Sequence, residues 1–269
     1  MTRRKNLGNG LRAAMLALCG CLLTGTTARA ADDLDTLLAR ASQEASVFLE
    51  QFSDVKCTEH VKQEKLNKDG KVERDAESSY DYLVILSNTG GEMQLNESRL
   101  AIHEAKPDKK GTSFLLTNGF ATLFLVFHPY YAGDFQFTAL DDEIVNGKTL
   151  RKIEFHHVPG TRSLAALALR GREYPLEISG TAWIDSASGN VAKIQATIGA
   201  TMEDVGLKTL QSEVIYAPVP FRDLNEVYWF PAKATVEVET PRQHWRNTHT
   251  FTDYKLFSVS TEEKVAANK

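Results

Sequence analysis

Cysteine is scarce in this 269-residue chain: three in all, two of them within the first 21 residues and Cys57 alone thereafter. A mature product that starts after residue 30 therefore has no internal disulfide to staple it, and its lone thiol reads as a buried, inert one. Long apolar runs are also missing. The longest, Ala13–Leu23, falls short of the roughly 20 residues that a membrane-crossing helix needs and is interrupted by Gly20. No Gly-x-Ser-x-Gly turn, phosphate-binding glycine loop or dinucleotide fingerprint occurs, which leaves the common hydrolase and nucleotide chemistries without a motif. Paired cysteines and helical His-x-x-x-His spacing are absent too, so no metal site is read from spacing, and no cofactor is implied.

What the N-terminus does contain is an export address. Arg3, Arg4, Lys5 and Arg12 give a basic start, the apolar run follows, and Ala28-Arg29-Ala30 forms a small-residue exit. That order is the signature of a secretory signal peptide, with cleavage expected after Ala30. Leu18-Cys19-Gly20-Cys21 loosely resembles a lipobox, which makes lipidation at Cys21 the alternative. Residues 1–30 are thus read as the signal, 31–261 as one domain and 262–269 as a polar tail. Removing thirty residues that hold five basic and no acidic side chains takes the net charge from −4 to −9. Nucleic acid and anionic membrane both demand basic surface, so neither is an expected partner. Periplasmic or secreted is the expected location, with no membrane span after processing.

The mature chain opens on an amphipathic helix. Leu34, Leu37, Leu38, Ala41, Ala45, Phe48, Leu49 and Phe52 share one helical face, and Asp32 and Asp33 sit where a cap belongs. Beyond it the pattern changes to period two. Tyr80, Tyr82, Val84 and Leu86 alternate with Asp81, Leu83 and Ile85; the same rhythm recurs over 152–157, 192–198 and 232–239. Asp69-Gly70, Asn146-Gly147 and Ser188-Gly189-Asn190 separate such runs and read as hairpin turns. Strands follow strands without helices between them, which favours an antiparallel meander. The fold class is α+β and mostly β.

Two apolar segments break that rhythm. Phe120–Tyr131 is apolar nearly all round and stops at Pro129, so a short buried helix is expected. Leu164–Leu169 fits either a strand or a helical turn. The candidate ligand-binding residues are Phe120, Leu123, Phe124, Phe127 and Tyr131, because a partly closed sheet cannot fill its concave face alone. Either this segment completes the core or it yields to an apolar ligand. A hollow of several hundred Å³ would support the ligand reading, and a packed interior would support an envelope sensor or interaction module.

Other reactive types form no convincing set. His156 and His157 are neighbours on one strand and point to opposite faces, and His244 and His249 share that parity problem. Asp141, Asp142 and Glu143 read as a solvated charge run. Cys57 beside Glu59 and His60 is a thiol–base pair in sequence only, since adjacent strand residues do not meet. No catalytic residue is assigned, and an uncharacterised hydrolase ranks third among the functions. Trp183 opposes the parity of Ile178, Ala182 and Ile184, which implies apolar contact on both faces of its strand; Trp229 also falls on a strand, and Trp245 at a strand end.

The stretch Gly180-Thr-Ala-Trp-Ile-Asp185-Ser-Ala-Ser-Gly189-Asn-Val191-Ala-Lys-Ile194 resembles the central hairpin of the lipoprotein-carrier superfamily, periplasmic binders of lipids and lipoproteins. The export signal, leading helix, strands and apolar mid-chain segment fall in matching order across most of residues 32–260. Phe230-Pro231-Ala232-Lys233 and Phe251-Thr-Asp-Tyr254 fit its closing strands. The resemblance implies a curved antiparallel half-barrel with an N-terminal helix and one or two helices on the concave face. It further implies non-enzymatic binding of a lipid, or of the acyl chains of a lipidated protein, in the cell envelope. The carrier's conserved arginine has no match here, so the resemblance does not reach lipoprotein delivery.

Overall fold

Alternation decides the strands. In a computed structural model of the chain, Trp245, Asn247, His249 and Phe251 are buried while their neighbours are more open, as the period of a half-buried strand requires. The structure describes residues 25–89, 92–103, 117, 119–169, 172–199, 202, 206–221 and 225–256. The expected signal segment up to residue 24 and the polar tail lie outside the described residues. Among the described residues no helix is long and apolar enough to cross a membrane.

The elements run α1 (Gly25–Ser53), β1 (Val55–Leu66), β2 (Val72–Thr89) and β3 (Glu92–His103), followed by a 3-10 segment, Phe120–Phe127, and a short turn of the same kind, Ala132–Asp134. Then come β4 (Phe135–Ala139), β5 (Glu143–Val145), β6 (Lys148–His157), β7 (Ala165–Leu169), β8 (Arg172–Leu176), β9 (Ile178–Asp185) and β10 (Val191–Ile198). β11 (Thr209–Phe221), β12 (Glu226–Glu239) and β13 (His244–Leu256) complete the chain. One large antiparallel sheet has the order β3-β2-β1-β13-β12-β11-β10-β9-β6-β4, with β5 beside β6. The sheet is not closed into a barrel, because β3 and β4 stand at opposite ends. β7 and β8 pair apart from it, so Leu164–Leu169 resolves into a strand rather than a helical turn.

Turn chemistry fell where the sequence put it. Asn146 and Gly147 both have positive φ, 51° and 78°, and join β5 to β6 through the left-handed pair that a two-residue hairpin favours. Asp69-Gly70 joins β1 to β2, and Ser188-Gly189-Asn190 lies between β9 and β10. Gly180 answers a different need. A Cβ there would stand 1.9 Å from the Gln195 carbonyl and 2.6 Å from the Phe155 ring, so only glycine lets β9, β10 and the core meet.

Helix α1 begins seven residues earlier than Asp32, since Thr26–Ala31 continues into it without a breaker; Asp32 and Asp33 are therefore internal rather than capping in the unprocessed chain. Its apolar stripe is as expected: Leu37, Ala41, Ala45, Phe48, Leu49 and Phe52 are buried. The helix lies across the strands. Asp33 pairs with Arg151 on β6, and nineteen residues on, Phe52 packs against Tyr82 on β2. That stretch of helix is about 29 Å long and crosses seven strand spacings of the open sheet, as the helix on the concave face of a half-barrel does.

Candidate functional site

The concave face has two halves of different chemistry. The apolar half is filled by α1 and the 3-10 segment. Ala121 through Phe127 are all buried, as the all-round apolar sequence demands. The expected short helix is instead a run of 3-10 turns with a kink at Thr122, whose φ of −108° and ψ of 16° are not helical. Eight residues between Gly119, in the left-handed region at φ 83°, and the extended His128 leave no room for stable α-helix, and tight turns take its place.

The structure divides the five candidate residues. Phe124 sits at the centre, edge-on to Phe48 of α1 at 4.1 Å and to Tyr216 of β11 at 5.1 Å. Leu123 is buried beside it in the same core. Phe127 lies further along, stacked on Phe137 of β4 at 5.3 Å. Tyr131 is buried past the segment's end, against Tyr130, and Phe120 is only partly buried at its start. Burial pushes the Tyr131 phenol above its usual pKa.

Sequence reasoning missed the partners that hold this segment. Tyr216 Oη donates to the Ala121 carbonyl at 3.2 Å and accepts from the Phe124 amide at 3.4 Å. Phe48, Phe52, Tyr216 and Phe230 form the aromatic floor beneath it. Their parity was readable, since Leu210, Ser212, Val214 and Tyr216 alternate on β11; which strand faces which segment was not. A hollow of about 10 Å³ remains where Phe48, Phe124, Val191 and Trp229 meet under Glu44, room for about one water. It is far below the several hundred Å³ expected of an open ligand cavity. Burial raises the Glu44 carboxyl pKa.

The polar half lies at the β3-β2-β1-β13 end. Glu59 is fully buried and accepts from Arg99 Nε at 2.5 Å, Arg99 Nη2 at 2.8 Å and His249 Nδ1 at 2.8 Å. His249 Nε2 is 2.9 Å from Thr117 Oγ1, to which Asn247 Nδ2 donates at 3.3 Å. Arg99 Nη1 also donates to Glu97 Oε2 at 2.8 Å, and Glu97 Oε1 accepts the Gly119 amide at 2.8 Å. Burial opposes ionisation of Glu59, yet the bonds from His249 and Arg99 outweigh it and hold the carboxyl below the usual carboxylate range. Burial works against the Arg99 charge as well, and the two glutamates more than restore it.

The other sequence candidates separate as parity required. Cys57 and Glu59 face inward while His60 faces out to Ser79 at 2.9 Å. The Cys57 thiol is buried, and burial together with the Glu59 charge pushes its pKa up to about 12. His156 is exposed and His157 buried; His244 bonds Glu237 at the rim while His249 turns inward. Asp142 and Glu143 pair with Arg151 and Lys152 in solvent. The outer-face contact of Trp183, expected to be apolar, is instead with charged groups, the Lys193 ammonium 3.6 Å over its ring and Glu143 at its indole nitrogen. Among the described residues no three His, Cys, Asp or Glu side chains converge as a metal site.

No family model and no curated protein matches the chain. Solved structures do resemble it. A Vibrio parahaemolyticus domain provisionally assigned as an outer membrane lipoprotein-sorting protein aligns at 16% identity and a TM-score of 0.40, covering 84% of this chain and 94% of that one. A DUF1329 family protein from Desulfovibrio piger aligns at 11% identity and a TM-score of 0.37, over 88% and 95% of the two chains. The Pseudomonas aeruginosa MucA/MucB complex aligns at 10% identity and a TM-score of 0.20, over 86% and 100%.

Proposed function

We propose that this is an exported envelope protein that binds an acyl chain on its concave face by exchanging it for the segment Phe120–Phe127. The observation that carries the reading is how that segment is held. Every side chain from Ala121 to Phe127 is buried, yet among the described residues the segment pairs with no strand, is built of short-range 3-10 turns, and is hydrogen-bonded to the sheet through the single hydroxyl of Tyr216.

Exchange fits the magnitudes better than addition. The hollow beside Phe124 has room for about one water, so no chain enters there beside the segment. Leu123, Phe124, Leu125, Val126 and Phe127 together contribute about 8–15 kcal/mol of burial, at about 1.5–3 kcal/mol each. Fourteen methylenes at about 0.8 kcal/mol each return about 11 kcal/mol. A sixteen-carbon chain therefore competes with the segment it displaces, and an eight-carbon chain does not. Export places the protein where lipidated partners are found; the signal is residues 1–30, cut after Ala30, with lipidation at Cys21 the alternative.

Native mass spectrometry of protein released from membranes without detergent reads the bound mass directly, and palmitate and octanoate titrations read the length dependence. Adducts with palmitate and none with octanoate are expected. A clean apo mass together with no palmitate binding sinks the reading. The close packing around Phe124 favours a second reading, a closed module that binds a protein partner, and that would be left standing by such a result.

A further inference from the structure

The polar half of the concave face is ordered like a reaction relay. Glu59 lies inward on β1 between Cys57 and Val61 and is ionised, so its oxygens only accept hydrogen bonds. His249 Nδ1, 2.8 Å away, must then carry a proton. In the neutral ring that leaves Nε2 as an acceptor, and Nε2 stands 2.9 Å from Thr117 Oγ1. Asn247 Nδ2 already donates to the same oxygen, which leaves the threonine's own hydrogen directed to Nε2. Hydroxyl, imidazole and carboxylate thus stand in the order that activates a nucleophile: the base within reach of the hydroxyl, and a third group fixing the base. Arg99 alone would satisfy Glu59 with its two bonds. The histidine and threonine are what turn an ion pair into a relay.

We infer that Thr117, His249 and Glu59 form an acyl-transfer site, with Thr117 Oγ1 as nucleophile toward activated carboxylic esters. This goes beyond the binding reading and does not rest on it, because a short acyl group requires no displacement of Phe120–Phe127. Thr117 attacks the ester carbonyl carbon as its proton passes to His249 Nε2. The amide of Asn247, donating to Oγ1, orients the hydroxyl toward His249. Collapse breaks the bond to the alcohol oxygen, and the alcohol leaves with the proton held on Nε2. Water, deprotonated by the same nitrogen, then hydrolyses the threonine ester to a carboxylic acid and restores the hydroxyl. Glu59 and Arg99 are positioning residues: they fix the tautomer and never touch the substrate.

Access runs to the correct member. Thr117 keeps 9% of its surface exposed, against 3% for His249 and none for Glu59. It also precedes Phe120 by three residues, and the Gly119 amide between them is anchored on Glu97. The nucleophile therefore stands just ahead of the apolar segment, three residues before the partly buried Phe120.

The test uses the full chain with a fluorophosphonate probe and with p-nitrophenyl acetate, followed by peptide mapping. A covalent adduct on Thr117 is expected, together with ester turnover that varies with pH. Thr117→Val and His249→Gln should each lower the labelling rate at least tenfold, Glu59→Gln should lower it comparably, and Thr117→Ser should retain it at the same position. The pH dependence should vanish in His249→Gln. Wild-type protein that takes no label on Thr117, or that is labelled only elsewhere, overturns the inference and makes the cluster a buried structural network. Where Thr117→Val fails to fold, the wild-type and Thr117→Ser adducts decide.

Discussion

The phenol of Tyr216 on β11 is the bolt between the sheet and the 3-10 segment, giving a hydrogen bond to Ala121 and receiving one from Phe124. Tyr216→Phe keeps the ring, its edge contacts with Phe48 and Phe124, and the core volume. It removes only the two hydrogen bonds that tie the segment to the sheet, at about 0.5–1.5 kcal/mol each. Amide exchange across residues 121–127 should accelerate about tenfold or more, while strands β9 to β12 stay protected. Exchange that speeds up uniformly over the whole sheet would show that the phenol supports the global fold and not this segment.

Phe124 supplies the bulk where Tyr216 supplies direction. It is 5% exposed, set between Phe48 and Tyr216, and forms one wall of the small hollow. Phe124→Ala opens a cavity there and should cost about 3–5 kcal/mol in urea unfolding. The same opening lowers the work of admitting a chain, so the variant should bind palmitate more tightly while being less stable. Equal weakening of both would mean that Phe124 lines the bound state as well as the empty one.

These two residues also mark what could be read from the sequence. The all-round apolar run from Phe120 announced burial, and the periodicity of Leu37 through Phe52 announced the stripe that covers the sheet. Period-two alternation and the Asn146-Gly147 signal gave strands and turns. The 3-10 geometry was hidden because it depends on how much chain lies between Gly119 and Pro129 in space, not on propensity. Glu59 and His249 entered the sequence reading only in pairs that strand parity kept apart, and Arg99 and Asn247 not at all. Their meeting depends on β1 pairing with β13 and β2 with β3, between residues up to 190 positions apart. Local sequence carries parity, and only long-range register brings the carboxylate to the imidazole.

Glu59 sets the acid limit of stability. Its folded carboxyl titrates below the ordinary value because His249 and Arg99 overcome the effect of burial. A group so depressed adds stability above its unfolded pKa, about 4.3, and loses it as pH falls through the lower folded value. Unfolding free energy from urea titrations should therefore drop as pH falls below about 4.3. Glu59→Gln should flatten that limb, and at neutral pH it should cost about 1–3 kcal/mol, because Arg99 and His249 lose the carboxylate they donate to while Arg99 keeps Glu97. A wild-type acid limb that survives unchanged in Glu59→Gln would assign it to the exposed carboxylates instead.

Cys57 gives a measurement that bears on both packing and processing. Its side chain is buried, and desolvation, with the Glu59 charge adding to it, lifts the thiol pKa to about 12. The thiolate is the reactive form, so at pH 8 the native protein should be inert to a disulfide reagent over hours. Linkage adds a sign here as well: a thiol that ionises less readily when folded favours the folded state increasingly little as pH climbs past its unfolded value, about 8.5. Unfolding in guanidinium exposes every thiol, and their number then reports the N-terminus. The unprocessed chain holds Cys19, Cys21 and Cys57 and should release three equivalents, whereas cleavage after Ala30 leaves Cys57 and one equivalent. Cleavage before a lipidated Cys21 also leaves one free thiol, but with its added mass on the N-terminal peptide. Rapid native reaction would contradict the burial of Cys57, and three equivalents from exported protein would contradict both forms of processing.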